Sequence, residues 1–502
     1  MRDGPFDIGL ADEAATQRLG EDLALALRPG DLVRLEGDLG AGKTTLARAL
    51  IRAMAGDPEH EVPSPTFTLV QSYDLRIPVH HLDLYRTGAA DEIDELGVEE
   101  MASSGIVLVE WPERAADRLP PAALVIHLEH EADGRRVHVS GAGPALARLA
   151  RSLAIRSFLA EAGWGEAARR FMFGDASTRA YEIVERDGIR RVLMNAPRQP
   201  DGPAIREGKP YSQIAHLAED VLPFVAVGEA LKGAGFAAPE IHAADIDAGL
   251  LLVEHLGSGN FLADDGSPVA DRYAAAGRLL AALHGKVWPE TITTSQGIVH
   301  PVPVYDRGAM TIEVELLTDW YMPHVTGAPV PAETKAAYVA AWNAVFDRLD
   351  RAEKSLVLRD YHSPNIVWRD EREGLDRLGL VDFQDAMIGP AAYDLASLAM
   401  DARVTIPPEM ERATIEAYAD ARSAAGGFDR AAFDEAYAIM AAQRNAKILG
   451  IFVRLDRRDG KPAYLKHLPR IRAYFTRALA HPALDPVAAF CRNAGLLDDA
   501  TP

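Results

Sequence analysis

Apolar and polar positions switch between two periods along the first 165 residues. Asp12 to Leu27 repeats its apolar side chains at i, i+3 and i+4, which predicts an amphipathic helix with acidic residues at the dipole-favoured start. The turn Arg28-Pro29-Gly30-Asp31 ends it. The apolar runs Leu32 to Leu35, Val79 to Arg86 and Gly105 to Pro112 read as strands, and Thr45 to Ala55 as a helix. Between them, Val62 to Val70 sets two prolines around hydroxyls ahead of a strand-like run. Gly134 to Pro144 holds a last short strand and a Gly-Ala-Gly-Pro break, after which Ala145 to Gly163 is helical. The boundary falls near 144 to 151, without a long linker, and divides the chain into domains 1–147 and 148–502.

Beyond that boundary, Phe171 to Val184 reads as a hairpin with a small-residue turn, followed by strands over Arg190 to Pro197 and Leu250 to Gly257. From about residue 270 the pattern is mostly helical. Within it, apolar runs flank the segment around Asp360, Gly379 to Asp385 reads as a strand ending in Asp382, and Gly389 to Ala396 opens a helix that Asp394 is expected to cap.

Composition narrows the class. A chain of 502 residues, 48% hydrophobic and 25% charged, is a folded protein of more than one domain. No apolar run approaches a membrane span, the acidic N-terminus lacks a signal-peptide pattern, and a single cysteine, Cys491, leaves no internal disulfide or cysteine-rich metal site. The expected location is cytoplasmic. Residues 1–150 hold 14 basic and 26 acidic side chains, and the remainder 39 and 48. Neither part has the balance needed to grip a phosphate backbone directly, so no direct nucleic-acid contact and no membrane partner are expected.

Chemistry enters with Gly37-Asp38-Leu39-Gly40-Ala41-Gly42-Lys43-Thr44-Thr45, which matches G-x-x-x-x-G-K-[ST] between a strand and a helix. Gly37, Gly40 and Gly42 let backbone N–H groups surround a phosphate chain, Lys43 reaches the phosphates, and the Thr44 hydroxyl ligates Mg2+, with Thr45 opening the helix. Asp83 and Glu110 end two later strands, where open α/β sheets place ligands, and Thr66 sits in a loop that reads either as a γ-phosphate switch or as an ordinary Ser-Pro turn. GDLGAGKTT, SPTFTLV, HLDLYR and LVEWPE, in that order over residues 5 to 145, resemble the bacterial ATPase subunit of the tRNA threonylcarbamoyladenosine machinery. The resemblance implies a P-loop ATPase acting on threonylcarbamoyl-transfer partner proteins, a sugar-kinase-like dimer. It implies Asp83 as metal support, Glu110 as a water-orienting or metal-linked acid, and roles for Thr66 and Trp111.

In the second part, Asp360 and Asn365 stand five apart, the spacing of a kinase catalytic loop with a carboxylate for the acceptor hydroxyl and an amide for Mg2+. Asp382 follows as the second metal ligand. Upstream, the turn containing Ser177 and Arg179 is placed to cover the nucleotide phosphates. The strand Arg190 to Pro197 lacks the lysine kinases keep there, so Arg179 or a residue from elsewhere supplies the charge. The backbone at Glu254 and Leu256 is placed to hold adenine. The Asp-Ala-Ser-x-Arg-x-Tyr turn, Leu193-Met194-Asn195-Ala196-Pro197, Leu358-Arg359-Asp360-Tyr361-His362, Val381 to Ala386, Thr318-Asp319-Trp320-Tyr321 and Gln443 to Phe452 resemble the aminoglycoside phosphotransferase family, in its branch of cell-wall amino-sugar kinases. That resemblance covers 151 to 495 and implies ATP-dependent phosphorylation of the anomeric hydroxyl of N-acetylmuramate or N-acetylglucosamine. Asn195 departs from the acidic residue expected at its position.

The expected architecture is an α/β P-loop NTPase domain followed by a bilobal protein-kinase-like α+β domain, a bifunctional fusion. The alternatives for the second part are another hydroxyl acceptor, namely an aminoglycoside, choline or homoserine, or a non-catalytic interaction module.

Overall fold

A computed structural model describes residues 4–87, 93, 95–115, 118–141, 143–172 and 179–497. The chain divides into two compact units, residues 1–196 with 242–253, and residues 197–241 with 254–502.

The first unit is built on a seven-stranded sheet in the order β1-β7-β6-β2-β5-β4-β3. Its strands are β1 (Phe6–Leu10), β2 (Leu32–Glu36), β3 (Val70–Tyr73), β4 (Val79–Asp83), β5 (Ile106–Glu110), β6 (Leu124–Glu131) and β7 (Gly134–Gly141). β2 pairs in parallel with β5 and β6, and β4 with β5, so the centre is a parallel sheet. Val33, Leu35, Leu108 and Ile126 fill the core on one face and Leu32, Val107 and Val109 on the other, both sets at most 1% exposed. Helix α1 (Glu13–Ala26) starts where the pattern predicts, with the Asp12 carboxylate accepting the Ala15 N–H at 2.7 Å. It packs closely on helix α2 (Lys43–Ala55), because Gly20 brings the α1 backbone against Ala49 and Leu50.

Several expectations are corrected here. β1 and β6 are strands that the sequence reading did not assign. The expected strand around Phe67 is a turn over 65–69: the Leu69 N–H bonds the Pro65 carbonyl at 2.8 Å, Leu69 has φ 63°, and Phe67 is 84% exposed, so this apolar run is not buried. β4 stops at Asp83 instead of reaching Arg86, because the Asp83 carboxylate takes the Tyr85 N–H at 3.0 Å and turns the chain.

The same unit continues through helix α4 (Pro144–Glu161), which follows a short α3 (Val98–Ser104), into a second sheet. The expected boundary at 147/148 falls inside α4. The second sheet has the order β11-β12-β10-β9-β8, made of β8 (Ala168–Met172), β9 (Ala180–Arg186), β10 (Ile189–Asn195), β11 (Ile241–Asp245) and β12 (Leu250–Glu254). β8 and β9 pair antiparallel as the predicted hairpin, whose turn, including Ser177, lies outside the described residues. The Asn195 side-chain oxygen accepts both Nε and Nη2 of Arg151 on α4, at 3.1 and 2.7 Å.

The second unit is mainly helical. It carries α5 (Ala270–His284), α6 (Arg307–Leu316), α7 (Ala392–Ala399), α8 (Pro408–Ala425) and α9 (Arg430–Arg457), with the two-stranded pairs β13 (Lys354–Val357) with β16 (Met387–Pro390) and β14 (Ile366–Trp368) with β15 (Leu378–Leu380). The strand expected to end in Asp382 ends at Leu380, and Asp382 stands beyond it with φ 60°. No helix among the described residues is long and apolar enough to cross a membrane.

Candidate functional sites

Two sites are built on separate sheets of hydrogen bonds, one in each unit. In the first, the loop from β2 to α2 turns at Gly37, Gly40 and Gly42, with φ of 129°, 81° and 111°, angles that side chains rarely adopt. A Cβ at Gly37 would also strike the Leu128 carbonyl. Lys43 folds back into this loop and donates to the Gly37 and Asp38 carbonyls at 2.6 and 2.9 Å, with its ammonium 3.6 Å from the centroid of the Trp111 ring. Burial lowers its pKa, against the opposing pull of Glu110, Glu113 and Asp83. Thr45, half-buried, lies in the first turn of α2.

The two strand-end acids stand side by side, since Asp83 and Glu110 are register partners of β4 and β5. Each accepts a hydroxyl hydrogen bond at 2.8 Å, Glu110 from Thr44 and Asp83 from Thr66. The loop threonine is therefore tied to the acid pair, and Ser64 lies 2.8 Å from Thr66. The second Glu110 oxygen is 2.8 Å from Nε2 of His81, which is fully buried. The sequence reading missed His81, although its position two residues before Asp83 puts both on one face of β4. A cavity of 590 Å3 opens at the start of the loop, but Glu36, Asp38, Glu113 and Glu129 line it. Four carboxylates there repel a triphosphate.

In the second unit, Asp360, Asn365 and Asp382 form one connected set. The Asn365 amide donates to the Asp360 backbone carbonyl at 3.0 Å and to one Asp382 oxygen at 3.2 Å, while Gln384 donates to the other at 2.8 Å. The Val381 N–H bonds the Asn365 carbonyl at 3.1 Å, fixing the two loops together. The loop is held from behind by residues to which the sequence assigned no site role. Asp394 does not cap α7, whose N-cap is Ala391. It is fully buried and accepts the Leu358 and Arg359 N–H groups at 2.6 and 2.8 Å, pinning the backbone that presents Asp360. Arg359, with φ 70°, pairs with the buried Glu313, which also accepts from Tyr305 at 2.5 Å and Gln443 at 2.9 Å and lies 2.9 Å from Lys447. Burial by itself raises the Glu313 carboxyl, yet Lys447 and Arg359 overcome it and hold the group down at about 2. The run Gln443 to Lys447 thus supplies the back of the catalytic loop.

Glu254 closes β12, and its N–H is taken by the Glu240 carbonyl at 2.8 Å. Leu256 is 8% exposed. Arg179 is half-buried just ahead of β9 in the first unit. Among the described residues, no cluster of three or more His, Cys, Asp or Glu side chains forms a ready metal site.

Comparison with known proteins agrees with this division. Residues 10–137 match the model of the threonylcarbamoyl adenosine biosynthesis protein TsaE, and residues 169–434 that of the phosphotransferase enzyme family. The chain is 36% identical over 351 residues to the N-acetylmuramate/N-acetylglucosamine kinase of Caulobacter vibrioides, covering 68% of this chain and 95% of that protein. It is 31% identical over 333 residues to the Pseudomonas aeruginosa protein of the same description, covering 64% and 88%. Its first part is 39% identical over 129 residues to the tRNA threonylcarbamoyladenosine biosynthesis protein TsaE of Rickettsia felis, covering 26% of this chain and 75% of that one. The fold is therefore a P-loop α/β domain joined to a protein-kinase-like phosphotransferase domain, and both parts are of ATP-using types. The chain belongs to the TsaE family through its first part and to the phosphotransferase enzyme family, with the N-acetylmuramate/N-acetylglucosamine kinases, through the remainder.

Proposed function

We propose that residues 1–147 hydrolyse ATP in support of tRNA threonylcarbamoyladenosine formation, and that residues 148–502 phosphorylate the anomeric hydroxyl of N-acetylmuramate or N-acetylglucosamine. The observation that carries the kinase half is the hydrogen-bonded set of Asp360, Asn365 and Asp382. A non-catalytic module would have no use for an acid, an amide and a second acid held together on two tied loops.

Mg2+ fits both donor sets: the Thr44 hydroxyl with the buried Asp83 and Glu110, and the Asn365 amide oxygen with Asp382, are hard oxygen ligands. Bound there, the ion would neutralise charge developing on the transferred phosphoryl group. The protein's own residues do the rest. As the sugar hydroxyl oxygen attacks the γ-phosphorus, the bond from that phosphorus to the β,γ-bridging oxygen breaks and ADP departs with its electron pair, while Asp360 takes the hydroxyl proton and later releases it to solvent. Arg179 and Ser177 are assigned to the nucleotide phosphates, with Arg179 supplying the charge that the lysine-free β10 lacks, and the backbone of Glu254 and Leu256 is assigned to adenine. In the ATPase half, Lys43 swings from the Gly37 and Asp38 carbonyls onto the phosphates. Glu110 orients water, and Thr66, bonded to Asp83, reports the γ-phosphate to partner proteins.

One experiment tests both halves: ADP release by the purified full chain, with a panel of sugars, choline and aminoglycosides, and with the threonylcarbamoyl-transfer partner proteins. Amino-sugar-dependent turnover is expected to survive Lys43→Ala and to disappear with Asp360→Asn, while partner-stimulated hydrolysis shows the opposite pattern. Sugar turnover that persists in Asp360→Asn ends the kinase assignment, and hydrolysis indifferent to cognate partners ends the tRNA assignment.

A further inference from the structure

The kinase sheet of the first unit is held by side chains of the ATPase domain. Arg169 on β8 is completely buried, and its guanidinium lies between two acids: it bonds Glu182 of β9 at 2.8 and 3.0 Å, and Asp22 of α1 at 2.5 Å. Asp22 is 2% exposed and also receives the Ser152 hydroxyl, at 3.3 Å, and Arg156, at 3.1 Å, both from α4. Burial disfavours the Arg169 charge, and Glu182 and Asp22 more than restore it. A second tie lies near the other end of the same strand, where Arg76, in the β3–β4 turn of the ATPase sheet, stands 5.1 Å from the centroid of the Phe171 ring. Both ties act on β8. β8 pairs with β9, and Arg179 stands immediately before β9.

A buried guanidinium must be matched by carboxylates, and here one of the two comes from a domain with a different activity. Without Asp22, Arg169 would keep one carboxylate, Glu182, and the neutral Ser152 carbonyl at 3.0 Å, and the pair would be free to shift toward water, moving β8 and β9 together. Asp22 lies within residues 10–137, matched by the TsaE model, and Arg169 and Glu182 within residues 169–434, matched by the phosphotransferase model, so this clasp joins the two fused parts.

We propose that Asp22 is a positioning residue of the kinase: through Arg169 it fixes β8 and β9, and with them Arg179, the residue assigned above to the nucleotide phosphates. The inference rests on the kinase reading above. Its signature is selective, because the sugar is not expected to contact these strands.

The test uses the full chain carrying Lys43→Ala, so that the P-loop does not contribute to nucleotide binding. Asp22→Asn is expected to raise the ATP KM of the sugar-dependent reaction, and the Kd for a non-hydrolysable ATP analogue, by about tenfold, the effect of one hydrogen bond between charged groups. The sugar KM stays unchanged, and Asp22→Glu recovers part of the loss. Arg76→Ala, at a surface contact that does not threaten folding, is expected to shift both ATP parameters in the same direction, and it decides the matter should Asp22→Asn not fold. Unchanged ATP parameters in the variants overturn the proposal, as does a parallel decline of every parameter with the folded fraction. Absence of sugar turnover in the parent chain refutes the kinase reading instead, while the analogue Kd still decides the role of Asp22.

Discussion

Glu313 shows how much of the second site depends on a residue that touches no reactant. Its carboxylate is completely buried, meets Arg359 directly in front of Asp360, and is held at about 2 against an ordinary 4.5. A carboxyl whose folded pKa is depressed stabilises the fold fully above 4.5, and that contribution is lost as pH falls from there toward 2. The loss amounts to about 3 kcal/mol. Glu313→Gln is expected to cost about 3–5 kcal/mol at neutral pH, because Arg359 and Lys447 remain buried without their counter-charge. It should also flatten the acid limb of thermal stability between those two pH values, which a pH series of melting curves would reveal. Residues of this kind are poorly legible in sequence. Thr44, Asp360 and Asn365 declare themselves through local spacing. Glu313 meets Gln443 across 130 positions, and His81 meets Glu110 across 29, on spacings that no motif records. Asp394 was visible as an acid at a helix start, but its partners, two N–H groups some 35 residues upstream, were not.

Among the elements, α9 is the scaffold on which the Asp360 loop is hung. Its buried run from Ala438 to Gly450 carries Gln443 and Lys447 to Glu313, and its last glycine lets the helix touch the end of α6. A Cβ at Gly450 would lie inside the contact distance of the Leu316 carbonyl. Directly after Leu316 the chain winds as a π-helix over Leu317–Tyr321, the stretch that contains the Thr-Asp-Trp-Tyr motif. Gly450→Ala is therefore expected to force the two helices apart and to destabilise the protein by about 1–3 kcal/mol, measured by chemical denaturation. Helical periodicity revealed that this region is helical. It did not reveal the wider turn, which is confined to the five residues Leu317–Tyr321, fewer than two helical turns. Strand β6 was more accessible: Leu124, Ile126 and Leu128 are buried in strict alternation with more exposed residues, a period-2 signal the reading passed over.

At the scale of the molecule, the functional boundary and the structural boundary do not coincide. The kinase strands β8, β9 and β10 share a compact unit with the ATPase sheet, while the helices behind Asp360 form another. Amides of Ala180–Arg186 and Ile189–Asn195 are thus expected to exchange with those of β2 and β5, in one cooperative opening distinct from that of α8 and α9. Hydrogen exchange read by mass spectrometry would check this, and protection of β9 and β10 that instead follows the C-terminal helices would contradict it. Length predicted more than one domain, and the Gly-Ala-Gly-Pro break marked where one ends, but the side chains that cross the join come from residues as far apart as Asp22 and Arg169. Helix α4 completes the join, since its 18 residues run without interruption from the last ATPase strand toward the first kinase strand. Proteases cut where a backbone can be drawn out into an extended segment, and a hydrogen-bonded helix packed by Leu146, Leu149 and Ile155 offers none. A cell that makes this chain therefore cannot retire one catalyst and keep the other: supply of the tRNA-modifying ATPase and of the sugar kinase is fixed at one to one, with a common lifetime.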